Sequence, residues 1–198
     1  MTDFCGLFAS QGEKRMKIYY HADRNSSLRP GQQLFEDHRG LSVFGSEYWS
    51  HIQSKPPANA SHAVIREYCA EQALRLVGFH WSRSCCLFAA ETIDEAIAFA
   101  RSILPVPDHP IHIYAVFGER ASRHDMTWLD YRAEIGLLID YCCAYWRGEA
   151  SNHQPSEGPR KPPQWEVLLP LPVKVLHRVA TVDLRSSPHP PSNQGPIR

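Results

Sequence analysis

Glu166 is the residue whose type and position most suggest chemistry. It closes Gln164-Trp165-Glu166, at the start of the longest β-type run in the chain, QWEVLLPLPVKVLHRVATVDL. A carboxylate held by a rigid strand beside a large aromatic ring is a useful catalytic part, because it puts a positioned acid, base or charge next to a flat surface. The same arrangement is also an ordinary way to open an edge strand. Other candidates sit at the ends of other elements. His21 closes the first expected strand, and Arg24 follows it. Ser84 opens the next strand, with Phe88 further along, while Tyr145 and Trp146 end the third helix. Each has a plain structural explanation: a histidine at a strand end is more often a satisfied core or surface residue, and paired aromatics usually fill a core.

Several familiar chemistries lack their motif. There is no GxxxxGK[ST] or GxGxxG to cradle phosphates, no HExxH zinc helix and no GxSxG nucleophile elbow. His109 and His112 flank Pro110, which rules out a helical metal pair, and on a strand they would face opposite sides. Of the six cysteines, Cys85-Cys86 and Cys142-Cys143 are adjacent pairs and none forms CxxC. This pattern reads as reduced, buried thiols of a cytoplasmic protein, with no metal site expected.

The elements that must position these residues follow from periodicity. Lys17–His21 is a short strand. Residues 36–60 read as an irregular excursion with at most one helical turn. Ser61–Val77 is a helix whose apolar face is Ile65, Tyr68, Cys69, Leu76 and Val77, with Gly78 after it as a C-terminal cap. Ser84–Ala89 is a buried-type strand. Thr92 and Glu95 then form a capping box that starts a helix running to about Leu104, ended by Pro105 and Pro107. Pro110–Phe117 alternates as a strand, a polar link follows, and Ile135–Trp146 is the third helix. Residues 149–163 form a Pro/Ser/Gly-rich loop. The final run gives two strands with Pro170 and Pro172 at their corner, expected to pair tightly with each other. This order predicts an α+β fold with three main helices on a short, mostly antiparallel sheet, or a split one. Residues 16–184 form the single domain, with a disordered leader over 1–15 and a Pro/Ser-rich disordered tail over 185–198.

Length and composition set the outer limits. At 198 residues, with 43% hydrophobic and 21% charged side chains, the chain can bury a substantial core. Lys+Arg and Asp+Glu balance at 21 each, so no net field favours nucleic acid or anionic lipid. No apolar run is long enough to span a bilayer. The N-terminal patch has no basic residue ahead of it, as a signal peptide would, although export without a cleaved signal is compatible with the sequence.

Four segments in order resemble the ADP-ribosyltransferase-like superfamily, and in particular its bacterial members. They are YYHADR at 19–24, SRSCCLFA at 82–89 followed by the capped helix, Tyr145-Trp146-Gly148, and QWEVLLPLPVKVL at 164–176, which is similar to the strand carrying a (Glu/Gln)-x-Glu motif. The chain departs from the family pattern in having Ser84-Cys85-Cys86 in place of a Ser-Thr-Ser run, and Phe88 near a place where a tyrosine is expected. The resemblance implies NAD as substrate, with cleavage of the nicotinamide–ribose bond and transfer of ADP-ribose to an unidentified acceptor, such as a protein. It implies that Glu166 stabilises the oxocarbenium-like charge and that His21 hydrogen-bonds a ribose hydroxyl. Arg24 would reach a phosphate, and Ser84, Phe88, Tyr145 and Trp146 would border the cofactor. Gln164 would orient the acceptor. Two other classes compete: a non-catalytic NAD-binding module on the same fold, and an unrelated α+β interaction protein that presents Trp and Tyr residues to a partner.

Overall fold

A computed structural model describes residues 17–57, 59–151 and 162–184. The expected leader and tail, and most of the loop at 149–163, lie outside these residues. Seven strands form two antiparallel sheets. The larger has β1 (Ile18–Asp23), β4 (Ile111–Gly118), β7 (Val173–Val182) and the two-residue β2 (Gln33–Leu34), in the order β1-β4-β7-β2. The smaller has β3 (Cys86–Ala89), β6 (Trp165–Pro170) and β5 (Ser122–Asp125), in the order β3-β6-β5. The fold is α+β with a split, antiparallel sheet. One bridge, Tyr20 to Ala90, joins the sheets where β1 passes β3.

The last two strands do not pair with each other, contrary to the expectation from sequence. β6 lies between β3 and β5, and β7 lies between β4 and β2. The reason is the corner itself. Pro170 and Pro172 cannot supply the N–H groups that a tight hairpin needs, and Leu171 N donates instead to Cys85 O, just before β3 of the smaller sheet. The chain is thus handed from one sheet to the other at Leu171, and both β6 and β7 gain two neighbours.

Five α-helices surround the sheets. α2 (His62–Val77) begins at Ser61, whose hydroxyl caps Val64 N, and ends at Gly78, which takes φ +67°. Its buried face is Glu67, Cys69, Ala70, Ala73 and Leu74, while the expected face residue Leu76 is 71% exposed. Cys69, Ala70 and Ala73 on this face are small, and α5 (Ile135–Trp146) packs along it in one apolar cluster. α3 (Ile93–Ser102) has the full Thr92/Glu95 capping box and stops two residues short of Leu104. Pro105 biases the residue before it away from helical geometry, and the chain is already extended at Ile103. α1 (Val43–Ile52), a helix of 10 residues, lies inside the stretch 36–60 where the sequence predicts at most one helical turn. The polar link before α5 holds both β5 and the short α4 (Thr127–Asp130).

The apolar interior falls into three clusters. One fills the space between α2, α5 and the smaller sheet, around Cys69, Trp128, Tyr145 and Leu168. A second joins the two sheets through Tyr19, Val116, Val167, Leu169 and Val175. The third packs Ala96 and Ala100 of α3 onto Ile111, Ile113 and Val182. The five described cysteines are free thiols. Among the described residues no helix is long and apolar enough to cross a membrane.

Candidate functional site

Glu166 is the second residue of β6, opposite His124 of β5 in the ladder. Its side chain is 8% exposed. Burying a carboxylate is costly unless it is paired and hydrogen-bonded, and two groups meet that need. Tyr145 donates its phenolic hydrogen to Oε1 at 2.7 Å, and Arg83 Nη1 donates to the same oxygen. No hydrogen bond among the described residues reaches Oε2.

Arg83 is positioned by a short 3-10 turn, Arg83–Cys85, capped by Ser82, whose hydroxyl accepts from Ser84 N. α1 fastens this turn from outside: Ser42 N and Ser42 Oγ both donate to Ser84 O, at 2.8 and 2.9 Å. The guanidinium is nearly enclosed. Its Nε donates to Glu67 Oε2 at 3.1 Å, its Nη1 donates to Tyr145 Oη at 2.6 Å, and its face lies 4.6 Å from the Phe88 ring centroid. Burial alone would lower its pKa, but the adjacent Glu166 and Glu67 carboxylates outweigh it and raise the pKa well above the ordinary value. Tyr145, fully buried, has its pKa raised well above that of an ordinary phenol, first by burial and then by Glu166. It is therefore a donor, not a phenolate.

His124 supports Tyr145 from behind. The two rings stack with centroids 4.7 Å apart, and His124 Nδ1 lies 2.8 Å from Tyr145 O. A carbonyl only accepts, so Nδ1 carries the hydrogen and Nε2 takes the Ser122 hydroxyl hydrogen at 2.9 Å. Burial lowers the pKa of His124, which fits this neutral tautomer.

Glu166 opens onto a narrow pocket with a free volume of about 20 Å³. Four aromatic residues (Tyr20, Phe88, Phe99, Trp165) and four alanines (Ala22, Ala89, Ala90, Ala96) make the rest of the wall, so among the described residues Glu166 is its single charged one. Trp165 is braced from outside by the Arg123 guanidinium, 4.3 Å from the ring centroid. A second depression, with a free volume of about 10 Å³, lies on the far side of Arg83, lined in part by Phe44, Glu67, Glu71, Ser84 and Trp146.

The structure groups the candidates read from sequence unevenly. Glu166, Tyr145 and Phe88 meet at one place. His21 does not line the Glu166 pocket; Tyr20 and Ala22 do, and strand alternation turns His21 to the other face of β1. There its Nδ1 lies 2.6 Å from Phe88 O, so His21 reaches the site only through the backbone of Phe88. Burial lowers its pKa. Ser84 and Trp146 line the second depression, and Trp146 Nε1 donates to Ala70 O as a core residue does. Arg24 is exposed on the turn after β1. Gln164 precedes β6, where its backbone N–H donates to Asp125 Oδ1 at 2.8 Å; its side chain is outside the pocket wall. The sequence sends the chain through this tether before Glu166, so Asp125 sets where β6 begins.

Arg83, Glu67 and His124 were not among the candidates. One signal was available for Glu67: with Ala70 and Leu74 it shares the i, i+3, i+7 phase of α2's buried face, where an acid needs a partner. Nothing in SRSCC marks Arg83 as buried. In comparisons with known proteins, no family model matches this chain and no curated sequence matches it.

Proposed function

We propose that the Glu166 pocket binds a flat, cationic N-glycoside and cleaves its glycosidic bond. NAD is the substrate named by the ADP-ribosyltransferase resemblance, and the acceptor is unidentified. The observation that carries this reading is a single carboxylate in an otherwise aromatic and alanine wall. Aromatic faces attract planar cations, and a fixed carboxylate stabilises positive charge where it develops on the ribose, as in glycoside hydrolysis. The free volume is about 20 Å³, close to that of one water, so the aromatic wall must move apart to admit the nicotinamide–ribose end of a dinucleotide.

In this mechanism Oε1 is held by Tyr145 and Arg83, and Oε2 faces the sugar. Phe88, Tyr20 and Trp165 wall the departing ring. His21 holds Phe88 O and touches no substrate. A second reading, binding without turnover, is favoured by one observation: the Arg83–Tyr145 clamp already engages half of the carboxylate.

The test is incubation with NAD, following nicotinamide release, for wild type and Glu166→Gln. Loss of release by about 100-fold or more in a folded Glu166→Gln protein supports cleavage. NAD-dependent thermal stabilisation without release supports the binding-only reading. Neither release nor stabilisation removes NAD as the ligand.

A further inference from the structure

We propose that Arg83 is the positioning residue of this site; the proposal rests on the reading that Glu166 acts on a bound glycoside. The guanidinium is a rigid fork, and this one is held at both ends. Glu67 Oε2 takes the Nε hydrogen, and Glu67 is itself fixed by Arg66 Nε at 3.0 Å on its other oxygen. From that anchored base, Nη1 reaches Tyr145 Oη and Glu166 Oε1 together, and the guanidinium face covers the ring of Phe88, a wall of the pocket. One planar group thus fixes the carboxylate, its phenol donor and a pocket ring relative to one another.

The approach direction sets the role. Arg83 lines the depression on the far side and is not in the wall of the Glu166 pocket. It therefore grips Glu166 from behind and leaves the pocket side of the carboxylate open. A substrate in the pocket touches Glu166 and not Arg83, so Arg83 acts only through another residue. A lysine cannot substitute. Its ammonium is a point charge on a flexible stem, with no second nitrogen along the stem to hold Glu67 while the tip holds Glu166.

The test uses the full chain carrying Arg83→Lys, which keeps the buried positive charge, with melting temperature and near-UV circular dichroism as folding checks. With NAD, kcat is expected to fall about 100-fold, the scale set by a misplacement of about 1 Å, while KM stays within about twofold. A folded Arg83→Lys protein with wild-type kcat, or with loss confined to KM, overturns the proposal. If Arg83→Lys does not fold, Glu67→Gln loosens the same fork without touching Glu166. A fall in kcat of about tenfold supports positioning, and an unchanged kcat overturns it. If the wild type itself does not turn over NAD, the glycoside reading fails and Arg83 is judged separately, by carbodiimide and amine labelling of Glu166 read by mass spectrometry. Slower labelling in wild type than in folded Arg83→Lys supports the grip; equal rates overturn it.

Discussion

Tyr145 and Glu166, one at the end of a helix and the other at the start of a strand, share a 2.7 Å hydrogen bond in which the phenol donates to Oε1. Tyr145 has no solvent exposure and its ring stacks on His124, so the hydroxyl has one direction to point. Tyr145→Phe keeps the ring and removes the hydroxyl, which donates to Glu166 and also accepts from Arg83 Nη1. Hydrogen bonds to charged groups contribute about 1.5–3 kcal/mol, so stability should fall by about 2 kcal/mol. Urea unfolding should show a lower midpoint with an unchanged slope. If the proposed cleavage of NAD holds, nicotinamide release should fall as well, because Oε1 then has Arg83 alone.

Two histidines, His124 buried and His21 partly so, make stability depend on pH in a defined direction. Burial depresses the pKa values of both His21 and His124 below the ordinary 6.5. Between those lowered values and 6.5 the unfolded chain binds more protons than the folded one, so stability rises with pH and is lost as pH falls. Each imidazole already spends its Nδ1–H on a carbonyl, Phe88 O or Tyr145 O. A series of melting curves from pH 7 to pH 5 should show a falling melting temperature. His124→Gln should flatten that slope while lowering stability at pH 7, where it loses the stacked ring.

Legibility in the sequence followed how local the cause was. The capping box at Thr92, Ser61 and Gly78 at the ends of α2, and the bounds of α5 depend on neighbours within one helical turn, and the structure has them where the pattern puts them. The partners of β6 and β7 depend on which sheet each strand joins after Leu171, a long-range choice that alternation does not encode. β5 was hidden because Ser-Arg-His-Asp has a polar sequence whose last two side chains are buried by hydrogen bonding. At the site, Glu166 stood out because a strand opens there. Arg83 did not, because its burial is created by Glu67 and Glu166, distant in sequence and on different elements.

Asp125 shows how such hidden polar residues hold the fold. It is completely buried, and it accepts backbone N–H bonds from Thr127 at 3.0 Å, Ser151 at 2.6 Å and Gln164 at 2.8 Å. Asp125→Ala strands these donors, each costing about 1–3 kcal/mol when left unmet. Thr127 Oγ1 still accepts from Gln164 N, which softens one of the three losses. The expected destabilisation is about 3–5 kcal/mol in chemical denaturation, with raised hydrogen exchange at Gln164, Trp165 and Glu166 as the start of β6 loosens.

Gly45 sets how closely α1 approaches the turn that holds Arg83. A Cβ built at Gly45 would lie 1.9 Å from Ser84 O, with the Ser84 carbonyl carbon and Cα also inside 3.0 Å. These are backbone atoms with no rotamer to yield, so Gly45→Ala must push α1 off the turn and break both Ser42 hydrogen bonds to Ser84 O. Overpacking costs about 1–3 kcal/mol, and the lost bonds bring the expected total to about 3 kcal/mol. Gly136 is the control. It is also helical, but a Cβ there meets nothing within 4 Å, so Gly136→Ala should stabilise the protein by about 0.5 kcal/mol through the unfolded chain. Opposite signs for the two glycine-to-alanine changes, measured side by side, would tie the effect to contact with Ser84, and a parallel fall in activity for Gly45→Ala alone would trace it onward to Arg83.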